Sequence, residues 1–259
     1  FASGLDPAKC TIFIQSEVRE HAEMALLLGM ITPLGWLERN PTYKEQLREL
    51  SGRDLTTYGF LGYPVLQAAD ILLYKAEKVP VGEDQLAHLE LTREIVRRFN
   101  HLFKPVFPEP KAILTQAPKL PGLDGRKMSK SYGNTIELSD SSETVDKKVM
   151  QMVTDPARKR REDKGNPDVC PVYFYHGLLK NPELEKVAQE CRNALRGCVD
   201  CKKEMAAHLK KFLAPIYERR MAWDKRRSEV KEILMEGSKK ARKIAQATMN
   251  EAKQAAGIL

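Results

Sequence analysis

The sequence contains no hydrophobic run long enough to cross a membrane. Its longest apolar runs, such as residues 24–28, are far shorter than the roughly 20 residues that span a bilayer, and this excludes a membrane protein. The first residues also lack the basic and then apolar pattern of a secretory signal peptide. Internal repeats and low-complexity tracts are absent as well, which excludes a fibrous or largely disordered chain.

The composition is that of a packed globular protein. Of the 259 residues, 42% are hydrophobic and 30% are charged, with 15 Gly and 15 Pro. These proportions are typical of a soluble fold. At roughly 100 to 200 residues per domain, the length predicts one large domain or two ordinary ones, each able to bury its own core.

The net charge of +8 is distributed unevenly along the chain. Residues 1–140 contain 17 Lys and Arg against 18 Asp and Glu, a net charge of −1, whereas residues 141–259 contain 26 against 17, a net charge of +9. An excess of positive charge in one part of a chain favours a phosphate-rich partner such as nucleic acid, although a solvated basic surface produces the same composition. Charge alone leaves both interpretations open.

Hydrophobic periodicity changes near residue 140. Before this point, short apolar runs alternate with helical patterns, which is typical of an α/β fold with a parallel sheet. We predict strands over residues 11–14 and 78–81, a helix N-cap at Ser16, and helices over residues 17–30, 62–74 and 85–99. After this point, helical patterns dominate, over residues 143–153, 183–195, 202–239 and 241–256.

Residues 103–137 contain five prolines and three glycines. Such a stretch is too interrupted for regular elements and long enough to be a functional loop. We therefore predict two domains, a parallel-sheet domain over residues 1–140 that carries this loop and a helical domain over residues 141–259.

The sequence Lys127-Met128-Ser129-Lys130-Ser131 lies in this predicted loop. Two ammonium groups three residues apart on a loop can close over a triphosphate and neutralise the charge that develops on a departing pyrophosphate. An ordinary basic surface loop is the alternative.

A second candidate is Val79-Pro80-Val81-Gly82-Glu83-Asp84-Gln85, where a strand runs through a glycine into a helix. Ligands of open α/β sheets bind beyond the carboxyl ends of the strands, and Gly82 would let a nucleotide approach the backbone. Alternatively, Glu83 and Asp84 only complement the dipole of the following helix.

A third candidate is the pair of Tyr63 and Asp70, which are seven residues apart on one predicted helix and therefore share a face. Asp70 lies in an otherwise apolar segment, where a carboxylate needs a donor. It is either a structural N-cap or ion-pair partner, or an acceptor for the ring N–H of an indole, which can only donate.

Together these segments resemble the tryptophanyl-tRNA synthetases of the bacterial class I type. The resemblance is carried by Ala-Ala-Asp-Ile-Leu-Leu-Tyr at residues 68–74, Val-Gly-Glu-Asp-Gln at residues 81–85 and Lys-Met-Ser-Lys-Ser at residues 127–131. It extends over essentially the whole chain. The resemblance implies a Rossmann-like parallel-sheet catalytic domain followed by an all-α anticodon-binding domain with a C-terminal helix.

The resemblance also implies an activity, partners and site residues. The enzyme would activate L-tryptophan with ATP and Mg²⁺ and transfer it to tRNA(Trp), in the cytoplasm and as a homodimer. The residues implied to bind tryptophan are Tyr63, Gln67, Asp70, Ile71, Val79, Val81 and Gln85. Those implied to bind ATP are Gly82, Glu83, Asp84, Leu120, Lys127, Met128, Ser129, Lys130 and Ser131, with Lys127 and Lys130 catalytic. The alternatives are a tyrosyl-tRNA synthetase and a non-catalytic RNA-binding protein derived from a synthetase.

One family element is missing from the sequence. The His-x-Gly-His-type element that lies under ATP in the first βα turn does not occur, and every histidine has the wrong sequence context: His21, His88, His101, His176 and His208. We expect this element upstream of Phe1. A chain without it would have an incomplete sheet with exposed apolar surface and would be inactive by itself.

Four of the five cysteines follow a metal-ligand spacing. Cys170, Cys191, Cys198 and Cys201 are separated by 20, 6 and 2 residues, and tetrahedral thiolate sites suit zinc or an iron–sulfur cluster. The pattern resembles the C-x22-C-x6-C-x2-C pattern of [4Fe-4S]-containing tryptophanyl-tRNA synthetases, with a first gap two residues shorter. A [4Fe-4S] cluster is therefore expected. Zinc, unligated cysteines and disulfides are the alternatives, and Cys10 is expected to be structural.

Overall fold

The fold is described by a computed structural model that defines residues 1–49, 55–114 and 119–258. The chain forms two compact units, Phe1–Asp6 with Ala117–Arg227, and Pro7–Gln116 with Ser228–Leu259. This division by packing differs from the predicted functional division at residue 140, because residues 119–140 pack with later residues and the last helix packs with earlier ones.

The second unit contains a parallel βαβ element. Strand β1, Lys78–Val81, pairs in parallel with β2, Lys111–Leu114, with Lys78 opposite Lys111 and Val81 opposite Leu114. Helix α5, Leu86–Leu102, connects the two strands. The predicted strand over residues 78–81 and the predicted α/β fold with a parallel sheet are confirmed.

Strand β2 corrects the prediction that residues 103–137 lack regular elements. Pro110 precedes the strand instead of interrupting it, and the short run Ala112-Ile113-Leu114 has the apolar character of a strand. Residues 115–118 of the predicted loop lie outside the described residues.

Four helices precede the first strand along the chain: α1 Glu20–Ile31, α2 Leu34–Glu38, α3 Pro41–Glu49 and α4 Tyr58–Leu72. Helix α4 begins earlier than predicted because Thr57 caps it, accepting a hydrogen bond from the Phe60 amide at 3.4 Å. The predicted N-cap at Ser16 is wrong. Ser16 lies in the 3₁₀ turn Gln15–Glu17, and α1 starts after Arg19.

The predicted strand over residues 11–14 is also wrong, because this segment lies against the last helix, α10, Arg227–Ala255. A Cβ on Gly237 of α10 would collide with the carbonyl oxygen of Ile12, so glycine is what permits the contact. The next helical residue, Ser238, accepts a hydrogen bond from the Ile14 amide at 3.1 Å. Residues 11–14 therefore have helix α10 as their hydrogen-bonding neighbour and not a strand.

The core of this unit lies between α1, α4, α5 and α10. Met24, Leu72, Ile95 and Phe99 are fully buried in it. Helix α10 contributes a face of small side chains, Ala241, Ala245 and Ala252, with Met249 between them. Their spacing of about four residues keeps them on one side of the helix.

The first unit is helical. Its helices are α6 Ser142–Gln151, α7 Pro171–Leu178, α8 Leu184–Arg192 and α9 Cys198–Asp224. Helices α6, α7 and α9 bury Val149, Val172 and Met205 in a separate core. The predicted break near residue 240 is wrong, because α9 ends at Asp224 and α10 continues from Arg227 to Ala255. None of the described helices is both long and apolar enough to cross a membrane.

Candidate functional site

Helix α4 carries four of the residues predicted for the amino-acid pocket, and three of them are polar. Tyr63, Gln67 and Asp70 are spaced by four and three residues, which places them on one face of the helix. Gln67 Nε2 donates to Gln85 Oε1 at 3.4 Å. The structure thus connects the helix to the turn that follows β1.

The apolar residues predicted for the same pocket belong to the hydrophobic core. Ile71 and Val81 are only 8% and 9% exposed, and Val79 packs against the core at its margin. These three side chains therefore contribute to the hydrophobic core of the second unit. Their predicted contact with a ligand stays a prediction.

Asp70 is held by two donors that come from the start of the second unit. Asp70 Oδ1 accepts hydrogen bonds from Gln15 Nε2 and from His21 Nδ1, both at 2.6 Å. The other ring nitrogen of His21 lies 2.8 Å from the Tyr74 hydroxyl. The predicted requirement of Asp70 for a donor is therefore met by residues that we did not predict.

The protonation of this cluster follows from its geometry. Burial, and then the charge of Asp70, raises the pKa of Tyr74 to about 12, so this hydroxyl keeps its proton. The Asp70 carboxylate accepts from His21 Nδ1, and a neutral His21 ring then accepts at Nε2 from the Tyr74 hydroxyl. His21 is 4% exposed, whereas the Asp70 side chain is 37% exposed. Asp70 is therefore fixed on one side and open on the other.

Tyr63 is held by a second buried histidine. Its hydroxyl lies 2.5 Å from His88 Nε2, and His88 Nδ1 lies 3.3 Å from Asn40 Nδ2. The Asn40 amide is oriented by the Thr42 N–H, which donates to Asn40 Oδ1 at 3.0 Å. Asn40 therefore donates to Nδ1 of His88, and the neutral ring donates from Nε2 to Tyr63. The Tyr63 hydroxyl hydrogen remains available to a ligand.

The turn after β1 keeps its acidic residues at the surface. Gly82, Glu83 and Asp84 are all exposed, and Glu83 and Asp84 occupy the first turn of the 3₁₀ segment Glu83–Gln85. A Cβ on Gly82 would lie 2.6 Å from Asp84 Oδ1, so the absence of a side chain lets this carboxylate fold back over the backbone. The predicted ATP contacts of this turn stay a prediction.

The loop with residues 127–131 lies in the first unit, around the buried side chain of Asn134. Asn134 Oδ1 accepts from the Ser129 amide at 2.8 Å, and its Nδ2 donates to Asp124 Oδ1 at 2.7 Å and to the Lys127 carbonyl at 3.2 Å. Asn134 is 3% exposed. Gly122 is required here, because a Cβ would collide with the Asn134 amide. One side chain therefore organises both ends of the loop.

Leu120 is brought to the loop by a hydrogen bond from the Met128 amide to its carbonyl at 2.8 Å. Ser129 caps the 3₁₀ turn Lys130–Tyr132 and accepts from the Ser131 amide at 3.3 Å. Lys127 and Lys130 are exposed, and neither ammonium group forms an ion pair or hydrogen bond with the part of the chain that the structure describes. The backbone of the loop is fixed, whereas its two cations are available to a ligand.

The four spaced cysteines line one cavity of the first unit. Cys170 precedes α7, Cys191 lies in the last turn of α8, and Cys198 and Cys201 lie in the first turn of α9. None of these four forms a disulfide. A Cβ on Gly165 would lie 2.6 Å from Cys191 Sγ, so a glycine leaves space for this thiol. The alternative of disulfides is wrong.

The arrangement of these thiols does not itself define a metal site. Among the described residues, no three His, Cys, Asp or Glu side chains have a metal-binding arrangement. Burial raises the pKa of Cys170 and Cys191, and raises that of Cys201 to about 12. In the absence of a cation these three groups are therefore thiols and not thiolates.

Arg158 lines the same cavity and is 9% exposed. Its Nη2 donates to the carbonyls of Arg161 and Arg196, and its Nη1 lies 4.0 Å from Cys191 Sγ. Its Nε is buried and lacks a hydrogen-bond partner among the described residues. A buried guanidinium with an unsatisfied N–H favours an anionic group in the cavity.

Three residues that organise these sites were missed by sequence reasoning: His21, His88 and Asn134. His21 shares an apolar helical stripe with Met24 and Leu28, and a histidine on a buried face needs a polar partner. His88 has the same setting on α5. Periodicity could therefore have indicated that both are buried, but it could not have identified Asp70 and Tyr63 as their partners.

Comparison with known proteins places these features in one family. The profile of the tRNA synthetases class I (W and Y) matches residues 1–214. The chain is 55% identical to a tryptophan–tRNA ligase of Thermotoga maritima over 260 aligned positions, which cover 100% of this chain and 79% of that relative. It is 46% identical to a tryptophan–tRNA ligase of Aquifex aeolicus, covering 99% of this chain and 83% of that relative.

The fold is similar to solved structures of the same family. The tryptophanyl-tRNA synthetase of Campylobacter jejuni, complexed with ADP and tryptophan, superimposes with a TM-score of 0.85 at 32% identity. The similarity covers 99% of this chain and 79% of that one.

The buried position of His88 predicts a pH-dependent stability. Burial lowers the pKa of His88 from 6.5, while the charge of Asp84 acts in the opposite direction. The unfolded chain therefore binds this proton at higher pH than the folded chain, and stability is lost as the pH falls below about 6.5. We expect the urea midpoint to decrease between about pH 7 and about pH 5.5, and less so in His88→Gln.

The matched control for this measurement is His101→Gln, which changes an exposed histidine of the same helix. It should keep the pH dependence of the unsubstituted protein. Equal slopes of midpoint against pH in both variants would contradict a neutral buried His88.

Proposed function

Because the chain belongs to the tryptophan–tRNA ligases among the class I tRNA synthetases, we propose that it activates L-tryptophan with ATP and transfers it to tRNA(Trp). Its fold is the Rossmann-like fold of class I synthetases, with a parallel sheet and helical regions. The observation that carries the proposal within the site is Asp70, an acceptor on an apolar helix face with one side open. An indole offers a donor and an apolar surface, and both fit this position.

The reaction requires positioning and charge stabilisation more than a side-chain nucleophile. The tryptophan carboxylate attacks the α-phosphorus of ATP, an aminoacyl-adenylate forms, and pyrophosphate leaves with its Mg²⁺. We assign the neutralisation of the departing pyrophosphate to Lys127 and Lys130. Their exposed ammonium groups lack protein partners within the described ranges, which supports this assignment.

The remaining residue roles follow the family resemblance and stay proposals. Asp70 would accept the indole N–H, and Tyr63, Gln67 and Gln85 would supply polar contacts to the amino acid. Gly82, Glu83 and Asp84 would meet the ribose side of ATP, and Leu120 the adenine. The backbone bond between Leu120 and Met128 supports this last role, because it joins the residue to the phosphate-binding loop.

We propose tRNA(Trp) as the partner of the basic residues 141–259, with an anticodon-binding role for this region. Its net charge of +9 suits a phosphate backbone. Because the proposed reaction serves translation, we also propose a cytoplasmic location.

We also propose a homodimer. Leu26 and Met30, four residues apart on α1, are 60% and 74% exposed, and Leu34 of α2 is 63% exposed. Exposed apolar side chains grouped in this way are typical of an interaction surface. Light scattering that gives the mass of one chain at micromolar concentration would contradict a dimer.

For the four-cysteine cavity we propose a [4Fe-4S] cluster, with zinc as the alternative. The donor set of four cysteines fits either group. A cluster with four thiolates is anionic and would compensate the buried Arg158, whose Nε is unsatisfied. When bound, it would connect Cys170 and Cys191 to the start of α9. It would thereby order part of the basic residues 141–259 that we propose to bind tRNA. It takes no part in the adenylate reaction.

The decisive experiment on function is ATP–pyrophosphate exchange with each of the twenty amino acids, performed on the full-length protein. Exchange that depends on tryptophan is expected. Dependence on tyrosine would indicate the other specificity, and absence of exchange with retained tRNA binding would indicate a non-catalytic RNA-binding protein.

The loop lysines predict a specific loss of rate. Lys130→Ala should lower the rate of exchange by on the order of 10²-fold, because a cation that acts on the developing pyrophosphate charge is removed. The KM for tryptophan should stay nearly unchanged. Lys119→Ala, on an exposed lysine that precedes Leu120, is the matched control. An unchanged exchange rate in Lys130→Ala would refute the role.

The cluster predicts colour and composition. Anaerobically purified protein should be brown and contain about four irons per chain. Cys198→Ser should lose iron and lower tRNA charging more than exchange, whereas Cys10→Ser, outside the cavity, should keep both. One zinc per chain without iron would favour the alternative, and protein without either metal would contradict both.

A further inference from the structure

Asp70 and His21 form a hydrogen-bonded pair in which one particular carboxylate oxygen is used. Both donors to Asp70, Gln15 Nε2 and His21 Nδ1, bind the same oxygen, Oδ1, at 2.6 Å. The described residues place no hydrogen bond on Oδ2. One oxygen of the carboxylate is therefore saturated by the protein, and the other is left for a ligand.

Of the two donors, His21 is the one held rigidly. It is 4% exposed and packs among the rings of Phe13 and Tyr74, with centroid distances of 5.9 Å and 5.5 Å. Its Nε2 accepts from the Tyr74 hydroxyl, which fixes both the tautomer and the ring angle. Gln15, by contrast, is exposed.

We propose that His21 is a positioning residue for tryptophan specificity. By donating from Nδ1 it holds Asp70 so that Oδ2 accepts the indole N–H, and Tyr74 keeps His21 in the donating tautomer. This inference rests on the proposed role of Asp70 as the indole acceptor. His21 itself need not touch the substrate.

A positioning role predicts a loss that depends on the ring N–H. The test compares kcat/KM in ATP–pyrophosphate exchange for tryptophan and for benzothienylalanine, in which a sulfur atom replaces the indole N–H. In His21→Leu the ratio of the two values should fall by about tenfold or more, because only tryptophan uses the charged acceptor that His21 orients. A merely structural defect would lower both values and leave the ratio unchanged.

Two further variants keep the test valid if His21→Leu does not fold. His21→Asn retains a donor close to the position of Nδ1 and should restore most of the ratio. Tyr74→Phe removes one oxygen atom and should lower the ratio by a smaller factor than His21→Leu. Without the Tyr74 hydroxyl, no group among the described residues donates to His21 Nε2, and the tautomer with the proton on Nδ1 is less favoured. His101→Leu, at an exposed histidine, should leave both substrates unaffected.

Asp70→Ala separates this inference from the proposed function. One outcome is that the ratio collapses in Asp70→Ala, whereas folded His21→Leu and Tyr74→Phe keep the ratio of the unsubstituted protein. This outcome would overturn the role of His21 and leave that of Asp70 intact. An unchanged ratio in Asp70→Ala would overturn both roles. Exchange that does not depend on tryptophan in the unsubstituted protein would overturn the function itself.

Discussion

Polar groups on the apolar face of α4 can exist only if other helices supply their hydrogen-bond partners, and the candidate site depends on this constraint. Asp70 receives a donor from α1 and Tyr63 receives one from α5. Because His21 and His88 are buried, the core that holds them also determines the polarity of the candidate site. It offers an acceptor at Asp70 and a hydroxyl donor at Tyr63, about two helical turns apart. The packing of α1 and α5 against α4 therefore determines which polar groups the candidate site offers to a ligand.

The fold was predictable where local signals and tertiary packing agree. Residues 78–81 are a short apolar run between turn signals and form β1. The same pattern at residues 11–14 failed, because Gly237 lets a helix approach the Ile12 carbonyl closely and removes the need for a neighbouring strand. The association of residues 228–259 with residues 7–116 joins distant parts of the chain, and periodicity contains no information about it.

The residues of the candidate site also differ in how far the sequence alone predicts them. The loop over residues 127–131 and the carboxylate of Asp70 were evident as motifs, since each has an unusual residue type for its surroundings. Their supports were not evident. Asn134 binds the Ser129 amide and the Lys127 carbonyl, so its role appears only once the loop is folded. The sequence neighbours of His21 do not indicate its role, because its partner Asp70 is 49 residues away along the chain.

The cations of the first unit show how burial decides what a charge requires. Lys127 and Lys130 are exposed to solvent, so an anion can bind and leave without exposing an unsatisfied group, and this suits the role that we propose for the loop in pyrophosphate release. Arg158 has already lost its water and has no carboxylate partner among the described residues. Two backbone carbonyls accept from its Nη2, and the cluster that we propose would compensate the rest of its desolvation. The exposed cations of the loop therefore suit a ligand that binds and leaves, whereas the buried cation of the cysteine cavity suits an anionic group that stays bound.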